Sequence, residues 1–312
     1  MLDTRRLRVL VELSRRGTLT AVAEALSYSR AAVSQQLDAL ERETGTALIV
    51  PAGRGVQLTP QAEILVAHAV EILDQLEAAE VAVAQSVGTV AGTVRVAVFQ
   101  SAMHSVLPQA LTTLAAEHPG LRVEVAEHEP EHGLQAALAR EVDLALAEQY
   151  PGRVRHPRLD LDHVPLASDA ILLARPPGAE RFDDPLAALL STRESAWVLE
   201  PAGTVTREWA EQLCRSAGFE PDVRYETADL MAHTRLIAHG NAIGLLPGLL
   251  WAGAAAPVDL VALPGSPRRE LFSSARRSSA DAPGVRAVRD ALARSAEEAL
   301  GAETATHAAP AR

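Results

Sequence analysis

Arg30, Ala31, Ser34 and Gln35 fall at offsets that put them along one side of a helix opening at Arg30. Their chemistry suits base edges: Arg makes paired bonds to guanine, Gln to adenine, Ser bonds either, and Ala touches a thymine methyl. A solvated polar face on an ordinary helical hairpin would read the same way. Farther along, polar groups recur just after apolar runs. Ser101, Ala102, Met103 and His104 follow "TVRVAVF", Glu148 lies in "AEQY", Gly203 and Thr204 lie in "EPAGTVTREW", and Thr227 lies in "YETADL". Groups at such positions can meet a small ligand beyond the ends of strands, and the hydroxyls can equally serve as helix caps.

The first set needs two short helices and a turn. In "DTRRLRVLVELSRRG", Leu7, Leu10, Val11 and Ser14 follow the i, i+3, i+4, i+7 spacing of one helix face, and Gly17 supplies a stop. Thr18 or Thr20 can cap the next helix, whose Val22, Ala25 and Leu26 face inward. "SYS" makes a tight turn, and Ser29 caps a third helix with Val33, Leu37 and Leu40 as its buried stripe and Gly45 as its end. Two helices joined this way form a helix-turn-helix, whose second helix enters the major groove through its N-terminal residues. Thr20, Tyr28 and Ser29 complete the candidate DNA-contacting set on the preceding helix and turn. "ALIVPAGRGVQLT" then reads as a short hairpin, or wing, with Arg54 at its tip placed to meet a phosphate. The long segment from Pro60 carries Ile64, Leu65, Ala69, Ile72, Leu73, Leu76, Ala79 and Val83 on one face. That stripe exceeds what a lone helix can hide and predicts pairing with the same helix of a second subunit.

Composition agrees with a reader of DNA carried on a larger body. The chain has 312 residues, 48% of them hydrophobic and 22% charged, enough for two or three globular domains. Its formal net charge is −11, yet residues 1–60 hold 8 Arg against 6 acidic residues, a net of +2, which leaves −13 for the rest. A mildly basic head can approach nucleic acid while the acidic body stays off it. No apolar run has membrane-spanning length and the N-terminus is unlike a secretory signal, so a cytoplasmic location without membrane partners is expected. All 29 basic residues are arginine. The single cysteine, Cys214, excludes an intrachain disulfide and a cysteine-based metal cluster, and sits in a helical pattern that favours a buried structural role.

The order "AVAEAL", "SRAAVSQQLDALE", "GTAL", "GRGVQLTP" resembles that of the LysR-type transcriptional regulators. Ala31 departs from the frequent proline and Gln35 from the frequent arginine, while Ile49 and Pro51 replace the Phe and Arg often found before the wing. Pro51 removes both a charge and a backbone donor. The resemblance implies an α/β chain with an N-terminal all-α winged helix-turn-helix (1–60), a linker and dimerisation helix (61–88) and a periplasmic-binding-protein-like effector domain (89–300). Its two subdomains would take up about 93–167 plus 264–300 and 168–263. It also implies bacterial transcription regulation at a double-stranded promoter, a small-molecule inducer, RNA polymerase as a partner and a homodimer or homotetramer. The segments at Ser101 and Thr204 correspond to inducer-contacting positions in that family.

The body is consistent with this order on its own terms. Alternating strand and helix patterns from Thr93 predict a parallel sheet covered by helices. The tail, residues 301–312, has no apolar period and is expected to be disordered. In "AEHEPEHG", His128 and His132 among three glutamates could suit zinc on one helical turn, but Pro130 favours a loop and no metal, with His128 lining the inducer cleft. No phosphate-binding loop, nucleophile elbow, H-E-x-x-H or dinucleotide turn is present, so neither catalytic residues nor cofactors are assigned. A solute-binding protein or a small-molecule enzyme on the same α/β body is the alternative. It would leave the N-terminal 90 or so residues without a role.

Overall fold

The structure is a computed structural model that describes residues 1–53, 55–153, 158–251 and 254–308. At the N-terminus, Asp3 caps α1 (Thr4–Arg16), which Gly17 ends in the left-handed conformation. Thr18 caps α2 (Leu19–Ala25) by accepting the Ala21 N–H, and Ser29 caps α3 (Arg30–Thr44) by accepting that of Ala32. These helices close over Leu7, Leu10, Val22, Val33, Leu37 and Leu40, none more than 1% exposed. Ser14, expected on the inner face of α1, is exposed; Val9 and Leu13 are buried instead, because α1 packs against α3 on one side and the linker helix on another. The wing is an antiparallel pair, β1 (Ile49–Ala52) and β2 (Gly55–Leu58), in register Ile49 to Leu58. It is anchored to α3 by the Glu41 carboxylate, which accepts the N–H groups of Leu48 at 2.7 Å and Ile49 at 3.2 Å.

Thr59 caps the linker helix α4 (Pro60–Val87), whose first position is the proline. Ala62 and Ala69 seat it on the head, while Ile64, Ile72, Leu76, Val83 and Val87 are exposed.

The remaining chain forms two α/β units. The first contains β3 (Gly92–Val98), α5 (Gln100–His104), α6 (Val106–Glu117), β4 (Leu121–Glu127), α7 (Pro130–Leu138) and β5 (Leu144–Gln149). The chain crosses on β6 (Val164–Arg175) into α8 (Pro185–Leu190), β7 (Ala196–Leu199), α9 (Val205–Ser216), β8 (Asp222–Glu226), α10 (Leu230–Ala238), β9 (Gly244–Pro247), a turn of 3-10 helix and β10 (Asp259–Ala262). It returns through β11 (Arg268–Ser274) to α11 (Pro283–Ala308). Strands β4, β3 and β5 are parallel, as their helical crossovers require. The parallel order predicted from Thr93 onward holds for these three strands, and the junction beyond them departs from it. β11 runs antiparallel to both β5 and β6, and β6 pairs antiparallel with β9 and β10, because the chain crosses and recrosses there without an intervening helix. β6 thereby links both units in one seven-stranded sheet, and β7 and β8 form a separate parallel pair.

The final helix also corrects the sequence reading. Helical backbone continues through Ala308, past the expected start of a disordered tail at residue 301. "GAETATHA" is rich in alanine, the best helix former, and extending an existing helix avoids the cost of a new nucleus. Residues 309–312 lie outside the described residues.

Candidate DNA-reading face and effector cleft

The N-terminal half of α3 has two unlike sides. Val33 and Leu37 are fully buried beneath it, whereas Arg30, Ala31 and Gln35 are exposed and Ser34 is half-buried. Thr20 on α2 and Tyr28 and Ser29 in the turn are also exposed. Ser29 spends its hydroxyl on the cap, and Arg30, Ser34 and Gln35 make no side-chain hydrogen bond or ion pair among the described residues. These groups therefore keep their full hydrogen-bonding capacity for an external partner. Arg54 lies outside the described residues.

The second candidate site lies where the two α/β units meet, at the carboxyl ends of β3, β4, β5, β7 and β9. A cavity of about 40 Å³ there is bordered by Ser101, Glu129, Glu148, Tyr150, Glu200 and Arg269, among others. A larger cavity of about 730 Å³ lies beside α7, against Leu134, Leu161 and Phe272. The smaller one is the stronger candidate, because strand ends and the starts of α5, α7 and α10 converge on it, as ligand sites of open α/β sheets require.

Arg269 organises its floor. Arg269 is 2% exposed; Nε donates to Asp169 Oδ2 at 3.0 Å, and Nη2 donates to the same oxygen at 2.7 Å and to Ser101 Oγ at 2.8 Å. Nη1 pairs with Glu148. Burial disfavours the guanidinium charge, but Glu148 and Asp169 outweigh it and hold the Arg269 pKa above its ordinary value. Across the cavity, the Leu230 N–H at the start of α10 donates to Gln100 Oε1 at 2.7 Å, tying one unit to the other. Burial, reinforced by Glu148 and Glu129, pushes the Glu200 carboxyl up to about 7 although its own backbone N–H opposes the shift. Burial, then Glu148 and Glu127, raises Glu129 as well.

Of the positions picked from sequence, Ser101 and Glu148 border this cavity. Ala102 is fully buried in the core beneath, and Met103 packs partly against the same core. His128 sits half-buried in the turn before α7, while its neighbours Glu129 and Pro130 reach the cavity. Gly203 is exposed at a positive φ of 88°, and Thr204 caps α9 by accepting the Arg207 N–H at 3.3 Å. Thr227 accepts the Asp229 N–H at 3.1 Å in the turn before α10. Neither threonine borders the cavity; Thr206 and Ala228 do. Pro130 begins α7 rather than sitting in a loop, so His132 is helical; no group of three or more potential metal ligands occurs among the described residues. Sequence reasoning missed Arg269, whose signal was a charge in the same inward register as Leu271 and Ser273 of β11. Cys214 is fully buried in α9, and burial, with Glu220 and Glu211, pushes its thiol up to about 12, the reverse of an activated thiolate.

The linker helix joins this domain through a second ionic cluster. Arg276, 4% exposed, donates Nε to both Glu77 oxygens at 3.0 and 3.1 Å and Nη1 to the carbonyls of Ala137 (2.6 Å) and Val142 (2.8 Å). Arg140 pairs with Asp74 and Glu77, and Ser278 donates to Glu77. Burial works against the charge on Glu77, but Arg276, Ser278 and Arg140 hold its pKa below the ordinary value.

Known proteins share this arrangement. A profile described as the LysR substrate binding domain matches residues 88–297, and one for the bacterial regulatory helix-turn-helix protein, lysR family, matches residues 4–63. The SDS degradation transcriptional activation protein of a Pseudomonas strain is 30% identical over 250 residues, 79% of each chain. The transcriptional dual regulator GltC of Bacillus subtilis is 26% identical over 246 residues, 79% of this chain and 81% of that one. In fold, the chain is similar to a full-length OxyR variant from Pseudomonas aeruginosa, with a TM-score of 0.64 at 17% identity, covering 94% of this chain and 95% of that one. It is also similar to full-length CbnR complexed with its target DNA, with a TM-score of 0.52 at 22% identity, covering 95% and 100%. A capped helix-turn-helix with an unspent outer face, joined by a long helix to a two-unit domain with a cleft at its strand ends, thus makes this chain a member of the LysR family of transcriptional regulators.

Proposed function

We propose that this regulator reads promoter DNA through Arg30, Ala31, Ser34 and Gln35, with Thr20, Tyr28, Ser29 and Arg54 contacting the duplex around them. The observation that carries the reading is the contrast across α3: one side is sealed in the core while Arg30 and Gln35 stand exposed and unspent. Residues 1–60 act as the reading head, 61–88 as the dimerising linker and 89–300 as the effector domain. The exposed Ile64, Ile72, Leu76, Val83 and Val87 support pairing of α4 with a second copy, which sets two heads on one duplex.

A small molecule in the cleft between the two α/β units, meeting Ser101 and Glu148, shifts the balance between two arrangements of the heads. Altered DNA geometry then changes the access of RNA polymerase. The protein acts in the cytoplasm without catalysing a reaction; the absence of a helix able to cross a membrane among the described residues accords with that site of action. A raised Cys214 pKa argues against thiol chemistry as the input signal.

The direct test is a footprint on DNA just upstream of the chain's own gene at several salt concentrations. Two protected half-sites on one face of the duplex, weakening steeply with salt, are expected. No protection at low salt there or in a genome-wide selection would remove the reading.

A further inference from the structure

Two charged residues, Arg140 and Glu141, occupy the turn after α7, where the backbone asks for neither. We propose that this turn, residues 139–142, is a clamp that positions the reading head. Arg140 grips α4 at Asp74 and Glu77, Glu141 grips Arg16 at the end of α1, and together they fix the spacing of the two heads of a dimer. The proposal rests on the reading above that α3 reads DNA and α4 pairs two copies.

The turn closes with the two hydrogen bonds of a Schellman motif: the Glu141 N–H donates to the Ala136 carbonyl at 2.9 Å and the Arg140 N–H to that of Ala137 at 3.2 Å. Arg140 takes the left-handed position, at a φ of 59°, where glycine is favoured because it has no Cβ. The next position commonly carries an apolar side chain that packs back on the helix, and here it is Glu141. Neither side chain therefore serves the turn itself, and both are spent on other elements. Arg140 donates to Asp74 and brings Nη1 within 3.3 Å of Glu77, while Glu141 pairs with Arg16. A strained backbone position persists where its surroundings over-determine it, and here the surroundings are the linker helix. Arg276 closes the same junction, bonding the Ala137 and Val142 carbonyls on the α7 side and Glu77 on the α4 side.

The two grips reach the head by different routes. Arg16 is the last residue of α1, and Gly17 and the Thr18 cap of α2 follow it, so Glu141 holds the chain just before the helix-turn-helix begins. Arg16 also donates Nε at 2.8 Å to Glu12, which is 2% exposed, so this contact is joined to the packed interior of the head. Asp74 and Glu77 lie on α4, beyond the stretch that Ala62 and Ala69 seat against the head. One contact would leave a hinge, whereas two fix an angle. The Arg16–Glu141 pair is partly exposed, 25% and 41%, and such pairs add little to stability; its consequence is one of direction.

The test uses the full-length protein carrying Arg16→Cys and Glu141→Cys, before and after bridging with a short bismaleimide. Glu12 keeps Arg15 as a partner in this variant, and Cys214 is too deeply buried to compete for the reagent. A cross-link within one chain is expected, and its absence overturns the clamp. DNA binding is then compared on duplexes carrying two half-sites at the spacing found by footprinting, two half-sites about five base pairs farther apart, and a single half-site. The bridged protein, like the parent, should favour the native spacing over the longer one by about tenfold or more, and the unbridged protein by less than about threefold. Equal preference before and after bridging overturns the positioning role. Glu141→Arg and Arg140→Gly should lose the preference as well; glycine suits this backbone, so the loss in Arg140→Gly does not come from a misfolded turn. A loss on the single half-site as large as that on the pair would mean that the contact only stabilises the head, and would overturn the inference. A parent that binds half-sites without regard to spacing overturns the clamp and leaves α3 as the reader. A parent that binds no DNA removes that reading and the clamp together.

Discussion

The reading head and the effector cleft both present arginine, hydroxyl and amide groups, but in opposite states. On α3, Arg30 and Gln35 are exposed and unpaired, and the work of holding them falls to the apolar side of the same helix. In the cleft, Arg269 is buried and fully engaged, so it organises the site rather than offering itself to a ligand. An arginine's presence thus says little about what a surface binds until its partners are counted. The head is ready for an anionic polymer, whereas the cleft carries an excess of carboxylates.

Breaking the buried pair should have the largest effect. Arg269→Met leaves Asp169 and Glu148 facing each other without a cation, and a loss of about 3–5 kcal/mol is expected in chemical denaturation of the effector domain. A loss below about 1 kcal/mol would mean that Arg269 is not the organiser of the cleft. Next is the linker junction: Glu77→Gln removes the charge opposite Arg276, which retains the Ala137 and Val142 carbonyls, so about 1–3 kcal/mol is expected. The same variant should weaken the response of DNA affinity to effector, read by titrating DNA with and without it; an undiminished response would show that the signal bypasses α4.

On the exposed side the effects should fall on DNA and not on folding. Gln35→Ala is expected to change the preferred base at one position by about 1–3 kcal/mol of discrimination. Arg54→Ala should weaken specific and random DNA alike and reduce the salt slope by about one. Equal losses on both kinds of DNA for the two variants would remove the recognition-helix assignment. The smallest effect separates charge from structure in the cleft. Glu200 has its folded pKa raised from 4.5 to about 7, so the folded state retains a proton that the unfolded chain has released between those values. Stability therefore falls as pH rises through that window, and the full cost is present above it. Glu200→Gln should raise the melting temperature by about 2–4 °C near pH 8 and leave it unchanged near pH 4.5, by scanning calorimetry.

What could be read from the sequence follows the range of the forces involved. Caps at Thr18 and Ser29, stops at Gly17 and Gly45, and the Val33, Leu37, Leu40 stripe are set by neighbours within a few residues. The head and the outward direction of Arg30 and Gln35 were legible for that reason. The strands and helices of the body were legible as elements, but only some of the cleft was. Thr204 and Thr227 have the right chemistry at the right strand ends, yet local backbone N–H groups claim their hydroxyls.

Only the tertiary structure decided the rest. Arg269 meets Asp169, Glu148 and Ser101 at separations of 100, 121 and 168 residues, and Arg276 meets Glu77 at 199. Those meetings depend on β11 running antiparallel between β5 and β6, an arrangement that no local periodicity encodes. The sequence by itself therefore determined the helices, their caps and the face that looks outward, because those are short-range choices of backbone and side chain. The sheet's topology determined which charges cancel and which remain, and with them the chemistry of the cleft.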